Sequence, residues 1–158
     1  MADFIKQNAE GLFPIIQKSG CFFRASCHMA ELAVQKVLTK EQINAIYEQA
    51  KNKNYIDQND DVMQSAPIAN IALRALGSAG RFQEVATFKN GKLNWYSAIP
   101  EGQRIANYYI QKGKQNGPQK VHFYNVTKSG ETIWDPHAPT IKITGVIYTI
   151  CYRFIKGE

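Results

Sequence analysis

The sequence has no long hydrophobic run. Its 158 residues are 44% apolar and 20% charged, and no stretch approaches the roughly 18 to 20 apolar residues of a membrane-spanning helix. The opening segment, MADFIKQNAEGLFPIIQ, mixes charges with short apolar runs, whereas a signal peptide has a basic start, an apolar centre and a small-residue cleavage site. We therefore predict a cytoplasmic protein with no membrane partner, folded as a single domain over residues 1–158.

Cysteine and histidine are scarce, with three of each. Three cysteines cannot complete a set of intrachain disulfides, and the absence of a secretory signal makes free thiols the simpler interpretation. Cys27 and His28 are adjacent, and no CxxC or HxxxH spacing is present to supply the four ligands of a zinc site.

Other ligand motifs are incomplete or absent. The segment Asp57-x-Asn59-x-Asp61 begins like an EF-hand calcium loop, but Val62 and Ile68 occupy the positions that require glycine and glutamate. No Gly-x-Gly-x-x-Gly or Walker sequence occurs, so nucleotide binding has no support. We predict no metal and no cofactor.

Basic residues outnumber acidic residues, and the net charge is +6. The densest basic group, Lys112, Lys114 and Lys120, falls in a stretch that we predict to be a loop. No helix-turn-helix, RRM or zinc-knuckle pattern occurs, so we interpret the charge as a solvated face with mild affinity for anions. Nucleic acid is a minor hypothesis for the partner, because a basic composition alone is weak support.

The first half of the chain has helical patterning and the second half has strand patterning. This segregation predicts an α+β fold in which N-terminal helices pack on a C-terminal antiparallel sheet. Thr39 and Gln42 form a capping box at one helix start, and another helix is predicted from about Ser65 to Leu76. An earlier helix begins after Ser19-Gly20. Its apolar stripe recurs at helical steps: Phe23, Cys27, Ala30, Val34 and Leu38.

Strand patterning begins after Gly80. Apolar runs at 82–88 and 93–99 flank Asn90-Gly91 and predict a hairpin, and a short helix is predicted over 100–109. Further strands are predicted over 121–126, 131–134 and 141–155.

Cys21 is the cysteine best placed for chemistry. It follows Gly20 at a predicted helix start, where the helix dipole favours an anion and the first amides can hold an oxyanion. A helix N-terminus and a neighbouring imidazole both stabilise a thiolate, the reactive form of cysteine. Cys27 lies on the apolar stripe and Cys151 in an apolar strand, so we interpret both as core residues.

His122 and Asp135 are the candidate partners of Cys21. His122 begins a predicted strand, and Asp135 follows the next predicted strand after a glycine-containing turn. Antiparallel strands joined by that turn bring the carboxylate back towards the imidazole, where it can accept the Nδ1 proton and fix the tautomer. His28 points away from the helix start, and His137 lies in a predicted loop.

This order of motifs resembles that of papain-like cysteine peptidases. Gly-Cys at a helix start is followed by His122-Phe123-x-x-Val126, a turn at Gly130 and Asp135-Pro136, a pattern similar to the C39-like branch that processes bacteriocin leaders. The resemblance implies a papain-like cysteine-hydrolase fold and a Cys-His-Asp triad acting on a peptide or amide substrate. It also implies an oxyanion glutamine ahead of the cysteine, for which Gln17 is the nearest candidate.

Two interpretations of the function follow. In the first, the protein is a cysteine peptidase or related amide hydrolase: Cys21 attacks the carbonyl, His122 acts as general base and then acid, Asp135 orients His122, and Gln17 with the Cys21 amide steadies the oxyanion.

The second interpretation is a catalytically inactive papain-like protein that binds or inhibits a partner and is phage-encoded. The segment Gly20-Cys21-Phe22-Phe23 is also similar to segments of phage- and plasmid-borne proteins with no assigned function. Phe22 and Phe23 discriminate between the two interpretations, because a ring that seals the Cys21 thiol would exclude catalysis.

Overall fold

A computed structural model describes residues 3–89, 106–117 and 120–157 of the chain. Over these residues four helices precede five strands, which confirms the predicted α+β order. The helices are α1 (Pro14–Ser19), α2 (Cys21–Val34), α3 (Lys40–Asn52) and α4 (Ser65–Ala75). The strands are β1 (Arg81–Lys89), β2 (Tyr108–Gln115), β3 (Val121–Val126), β4 (Thr132–Trp134) and β5 (Ile143–Ile155).

The helix starts follow local sequence signals. At α3 the Gln42 amide donates to the Thr39 hydroxyl and the Thr39 amide donates to the Gln42 side chain, which confirms the capping box. Helix α4 ends at Ala75, and Gly77 adopts a left-handed φ of 84° just beyond it. One face of α3 is buried: Ile43, Ile46, Tyr47 and Ala50.

Helix α2 is shorter than its apolar stripe predicted. The left-handed conformation of Gln35, with φ 54°, ends the helix after Val34. Leu38 therefore lies outside α2, yet its side chain is completely buried. Leu38 continues the helical spacing of apolar residues because tertiary packing buries it, although the helix does not extend that far.

The five strands form an antiparallel sheet in the order β1-β5-β2-β3-β4. Helix α2 packs against α4 on one side and against β3 on the other. The Asn125 side-chain amide of β3 donates to the Ala25 carbonyl of α2 at 3.1 Å. This contact ties the strand that begins near His122 to the helix that begins at Cys21.

Two predictions for the second half are wrong, and one lies outside the described residues. Tyr108 and Tyr109 begin β2, not the end of a helix, and Lys112 and Lys114 lie in this strand instead of a loop. The β1 part of the predicted hairpin is present, whereas Asn90-Gly91 and the run 93–99 lie outside the described residues.

No helix within the described residues is both long and apolar enough to cross a membrane.

Candidate active site

Cys21 is the first residue of α2, and Gly20 determines how α1 meets it. A single residue, Gly20, separates the two helices, and its amide donates to the Ile16 carbonyl at 2.8 Å. A Cβ atom at Gly20 would lie 2.5 Å from that carbonyl oxygen and 2.8 Å from the Ile16 Cα. Only glycine fits this junction, and the junction places the Cys21 side chain at a helix N-terminus.

His122 reaches Cys21 from the neighbouring strand. The Phe22 ring stacks on the Phe123 ring with centroids 4.0 Å apart and an interplanar angle of 4°. These two residues directly follow Cys21 and His122 along the chain. The stacked pair therefore fixes α2 against β3 at the point where the thiol and the imidazole meet.

The imidazole of His122 lies between Cys21 and Asp135. The His122 Nε2 atom is 2.7 Å from Asp135 Oδ1, and Cys21 lies beside the same imidazole, close enough to raise the pKa of the ring. Because Nε2 is taken up by the carboxylate, Nδ1 is the nitrogen left for Cys21. The prediction that Asp135 contacts Nδ1 is wrong, because the ring is oriented the other way round.

The carboxylate is itself held in place. Asp135 Oδ1 also accepts a hydrogen bond from the His137 amide at 2.8 Å, and Oδ2 accepts one from the Ile141 amide at 2.9 Å. Burial raises the pKa of Asp135, but the hydrogen bonds from His122 and these amides outweigh burial and lower it below its usual value. Asp135 is therefore ionised at neutral pH.

The protonated form of His122 is favoured. Burial lowers its pKa, but the hydrogen bonds and charges of Asp135 and Cys21 outweigh burial and raise the pKa to about 9. At neutral pH the ring is an imidazolium that presents an Nδ1 proton towards sulfur. An adjacent imidazolium stabilises a thiolate.

The Cys21 side chain is half-buried, and its exposed part borders a cavity. It lines a cavity of about 140 Å³ together with Gln7, His122 and His137. Neither phenylalanine seals it: Phe22 stacks on Phe123, and the buried Phe23 ring packs edge-on against Tyr47 at 4.9 Å.

The other two cysteines are core residues, as predicted. Cys27 and Cys151 are completely buried. Burial raises the pKa of each thiol to about 12. Among the three cysteines, Cys21 is the one whose side chain adjoins an imidazole and a cavity.

Gln17 does not supply an amide to this cavity. Its side-chain nitrogen donates to the Ala9 and Leu12 carbonyls at 3.1 and 3.0 Å. These bonds hold the turn before α1, which accounts for the glutamine at this position. We assign no oxyanion role to Gln17.

Gln7 is the glutamine that the sequence interpretation missed. It is only 3% exposed, lines the cavity with Cys21, and its Oε1 atom is buried without a hydrogen-bond partner among the described residues. Two glutamines precede Cys21, and proximity along the chain favoured Gln17. Only the path of the N-terminal segment reveals that Gln7 is the one beside the thiol.

The N-terminal segment is bound to the loop that carries Asp135. The Gln7 amide donates to the Pro136 carbonyl at 2.7 Å, and the Lys6 ammonium donates to the Asp135 carbonyl at 2.5 Å. The Asn8 side chain both donates to and accepts from the backbone of Ala138. These bonds therefore hold the segment that carries Gln7 against the loop that carries Asp135.

Metal ligation and the larger cavity do not add to this site. Within residues 3–89, 106–117 and 120–157, no cluster of three or more His, Cys, Asp or Glu side chains is arranged to hold a metal ion. A cavity of about 560 Å³ near Met29 and Ile133 shares no lining residue with the cavity at Cys21.

Comparison with known proteins gives no match, whether to a protein-family model, to a curated protein or to a solved structure.

The raised pKa of His122 gives a direct prediction. In a histidine NMR titration, His122 is expected to titrate near pH 9, and Cys21→Ala and Asp135→Asn are each expected to lower the midpoint because each removes a contact that raises it. Protonation of His122 stabilises the fold fully below pH 6.5, and this contribution is lost as pH rises through about 9. A wild-type midpoint at or below 6.5 would contradict the described contacts.

Proposed function

We propose that this protein is a papain-like cysteine hydrolase that cleaves a peptide or related amide. The observation that carries the proposal is the position of His122, whose imidazole lies beside Cys21 at the start of α2 and contacts the buried carboxylate of Asp135. The α+β arrangement supports it, because the nucleophile lies on a helix and the base on an adjoining sheet strand.

Acylation uses the proton on His122. The Cys21 thiolate attacks the amide carbonyl carbon, and the carbonyl electron pair moves to oxygen. The Cys21 backbone amide at the helix start and the Gln7 side chain stabilise that oxyanion. His122 then gives its Nδ1 proton to the departing nitrogen as the carbon–nitrogen bond breaks, which leaves a thioester on Cys21 and a free amine.

Deacylation reverses the role of His122. The neutral imidazole takes a proton from water through Nδ1, and the resulting hydroxide attacks the thioester carbon. Collapse of the second oxyanion expels the Cys21 thiolate and releases the carboxylic acid. Throughout, Asp135 keeps Nε2 hydrogen bonded, which orients the ring and stabilises its charged form.

The rival interpretation is a binding or inhibitory protein on the same scaffold. A sealed thiol was the feature that would have favoured it, and the Phe22 and Phe23 rings lie against Phe123 and Tyr47 instead. The accessible cavity at Cys21 supports the hydrolase proposal over this rival.

Acyl transfer from p-nitrophenyl acetate tests the proposal without knowledge of the natural substrate. Sulfur displaces nitrophenolate from the acetyl carbon, and water then releases acetate. We expect a burst of one nitrophenolate per protein, an acetyl group on Cys21 by mass spectrometry, and continued turnover. Cys21→Ala is expected to abolish both phases, and Cys27→Ala to preserve them. Absence of acetylation at Cys21, or an acetyl group that is never hydrolysed, would favour the binding protein.

Gln7 and Gln17 give a matched pair of variants. Gln7→Glu removes the amide donor at nearly constant volume and is expected to slow acetylation by about 10²- to 10³-fold, the usual cost of one oxyanion donor. Gln17→Glu changes the residue bound to the Ala9 and Leu12 carbonyls and is expected to affect thermal stability more than acetylation. The opposite pattern would return the oxyanion role to Gln17.

A further inference from the structure

Two cavities meet at Cys21. The one described above includes His122 in its wall. The second has a volume of about 340 Å³ and extends from Cys21 and Ser19 to the loop at 59–62. A substrate whose carbonyl carbon is held at the Cys21 sulfur therefore has space for side chains in both directions.

The two cavities differ in charge. The first is lined by Lys18, His122 and His137, and His122 is protonated at neutral pH. The second has Asp60 and Asp61 in one wall and Lys112 in another. Among the residues that line the two cavities, the acidic side chains belong to the second cavity.

The acidic wall is rigidly built. Asp57 Oδ1 accepts hydrogen bonds from the Asn59 and Asp61 amides at 2.9 and 3.0 Å, which fixes the turn. Asp60 Oδ1 accepts from the Tyr47 hydroxyl and pairs with Lys51, both at 2.7 Å, so a nearby cation already balances its charge. The exposed side chain of Asp61 provides the carboxylate that a ligand can reach.

The remaining walls are aromatic. The stacked Phe22 and Phe123 rings and the Tyr148 ring line the cavity. The Lys112 ammonium lies 5.4 Å from the Phe123 centroid and 5.3 Å from the Tyr148 centroid, so a cation already occupies these ring faces. A second positive charge is repelled from that wall and attracted to the one formed by Asp61.

We propose that the second cavity is a substrate subsite for a side chain with a hydrocarbon stem and a cationic end, as in lysine or arginine. The stem packs against the aromatic wall near Phe22, and the cation lies at Asp61. The substrate residue that carries this side chain adjoins the amide cleaved at Cys21. This inference rests on the proposed hydrolase function, because the cavity becomes a subsite only if Cys21 attacks the substrate.

Alkylation of Cys21 by three chloroacetamides tests the subsite. An aminobutyl probe carries the cation, a pentyl probe is its neutral counterpart, and a carboxybutyl probe carries the opposite charge. In each, the Cys21 sulfur forms a bond to the methylene carbon and chloride leaves with the bonding electrons. We expect the aminobutyl probe to react about two- to fivefold faster than the pentyl probe, the effect of one partly exposed charge pair. The carboxybutyl probe is expected to be slowest.

Three variants assign the preference to this cavity. Asp61→Asn is expected to abolish the advantage of the aminobutyl probe, and Lys112→Met is expected to increase it by removing a like charge. Glu131→Gln makes the same change in net charge and is the matched control. Val121 lies at the start of β3, whereas Glu131 lies past the other end of that strand. The variant is therefore expected to leave the preference between probes unchanged.

The ratio between probes tests the subsite, whereas the absolute rate and its pH dependence test the activated thiol. Slow alkylation by every probe with the ratio preserved would therefore contradict the hydrolase and leave the cavity preference standing. Equal rates for the cationic and neutral probes would overturn the subsite, as would a preference that survives Asp61→Asn or is weakened by Lys112→Met.

Discussion

Replacing His122 with alanine is expected to slow acetylation of Cys21 by about 10²- to 10⁴-fold, the range that general acid–base catalysis supplies. The effect is large because, in the proposed reaction, His122 stabilises the thiolate before attack and carries the proton in both halves. Its imidazole lies beside Cys21 and is hydrogen bonded to Asp135. The burst rate with p-nitrophenyl acetate measures the loss.

Two further variants separate chemistry from folding. Removal of His122 leaves the buried Asp135 carboxylate without its imidazole partner, so the alanine variant also loses stability. His122→Gln keeps a donor for Asp135 without an acid–base group, and is expected to be equally slow but better folded. His137→Ala removes the other histidine in the cavity wall and is expected to retain the burst. A burst unchanged in His122→Gln would contradict the role of His122.

Replacing Glu31 with alanine is expected to lower the free energy of unfolding by about 3–5 kcal/mol, the cost of breaking a buried ion pair. Glu31 Oε1 accepts from Arg24 Nη2 at 2.7 Å and contacts His28 Nδ1 at 2.9 Å, and Oε2 accepts from the Leu38 amide at 2.9 Å. Both charged side chains are fully buried. The Arg24 guanidinium would remain in the core with its main counter-charge gone.

Urea unfolding at pH 7 measures this change, and two other variants interpret it. Glu48→Ala, at an exposed position on α3, is expected to change the free energy by less than about 0.5 kcal/mol. Arg24→Met combined with Glu31→Leu is expected to recover most of the loss, because an apolar pair of similar volume avoids the desolvation of two charges. A loss below about 1 kcal/mol in Glu31→Ala would contradict this account of the ion pair.

This ion pair also bears on the site. The Arg24 guanidinium lies 4.9 Å from the centroid of the Trp134 ring, and its Nε donates to the Ile5 carbonyl at 2.7 Å. Trp134 directly precedes Asp135, and Ile5 belongs to the segment that carries Gln7. The buried network therefore supports both segments that approach Cys21.

Local sequence signals predicted most of the N-terminal helices and the positions of Cys21 and His122. The capping box at Thr39, the turn at Gly20 and the strand at 121–126 depend on short-range chemistry and can be read from the sequence. Cys21 is the first residue of α2 and His122 the second residue of β3 for the same reason. Each of these features involves residues within a few positions of one another.

The features that could not be predicted depend on distant contacts. Strand β2 lies inside the sheet, although Lys112, Gly113 and Lys114 are poor strand residues, because β5 and β3 pair with both of its edges. Gly113 is needed there: a Cβ atom would lie 2.6 Å from Ile143 Cγ2 and 2.8 Å from the Tyr124 hydroxyl.

The same limit applies to the site. Gln7 reaches Cys21 only because its segment pairs with the loop after Asp135. The orientation of the His122 ring is set by that loop as well. The order of motifs therefore predicted which residues meet, but not which nitrogen of His122 faces which partner.

The rate of Cys21 alkylation by iodoacetamide is the most direct test of the thiol–imidazole pair. If His122 holds its proton beside sulfur, Cys21 is expected to be alkylated faster at pH 7 in the wild type than in His122→Gln, because an adjacent imidazolium stabilises the reactive thiolate. Peptide mass spectrometry identifies the alkylated residue, with the buried Cys27 and Cys151 as internal references. Equal rates of Cys21 alkylation in the wild type and in His122→Gln would contradict the account.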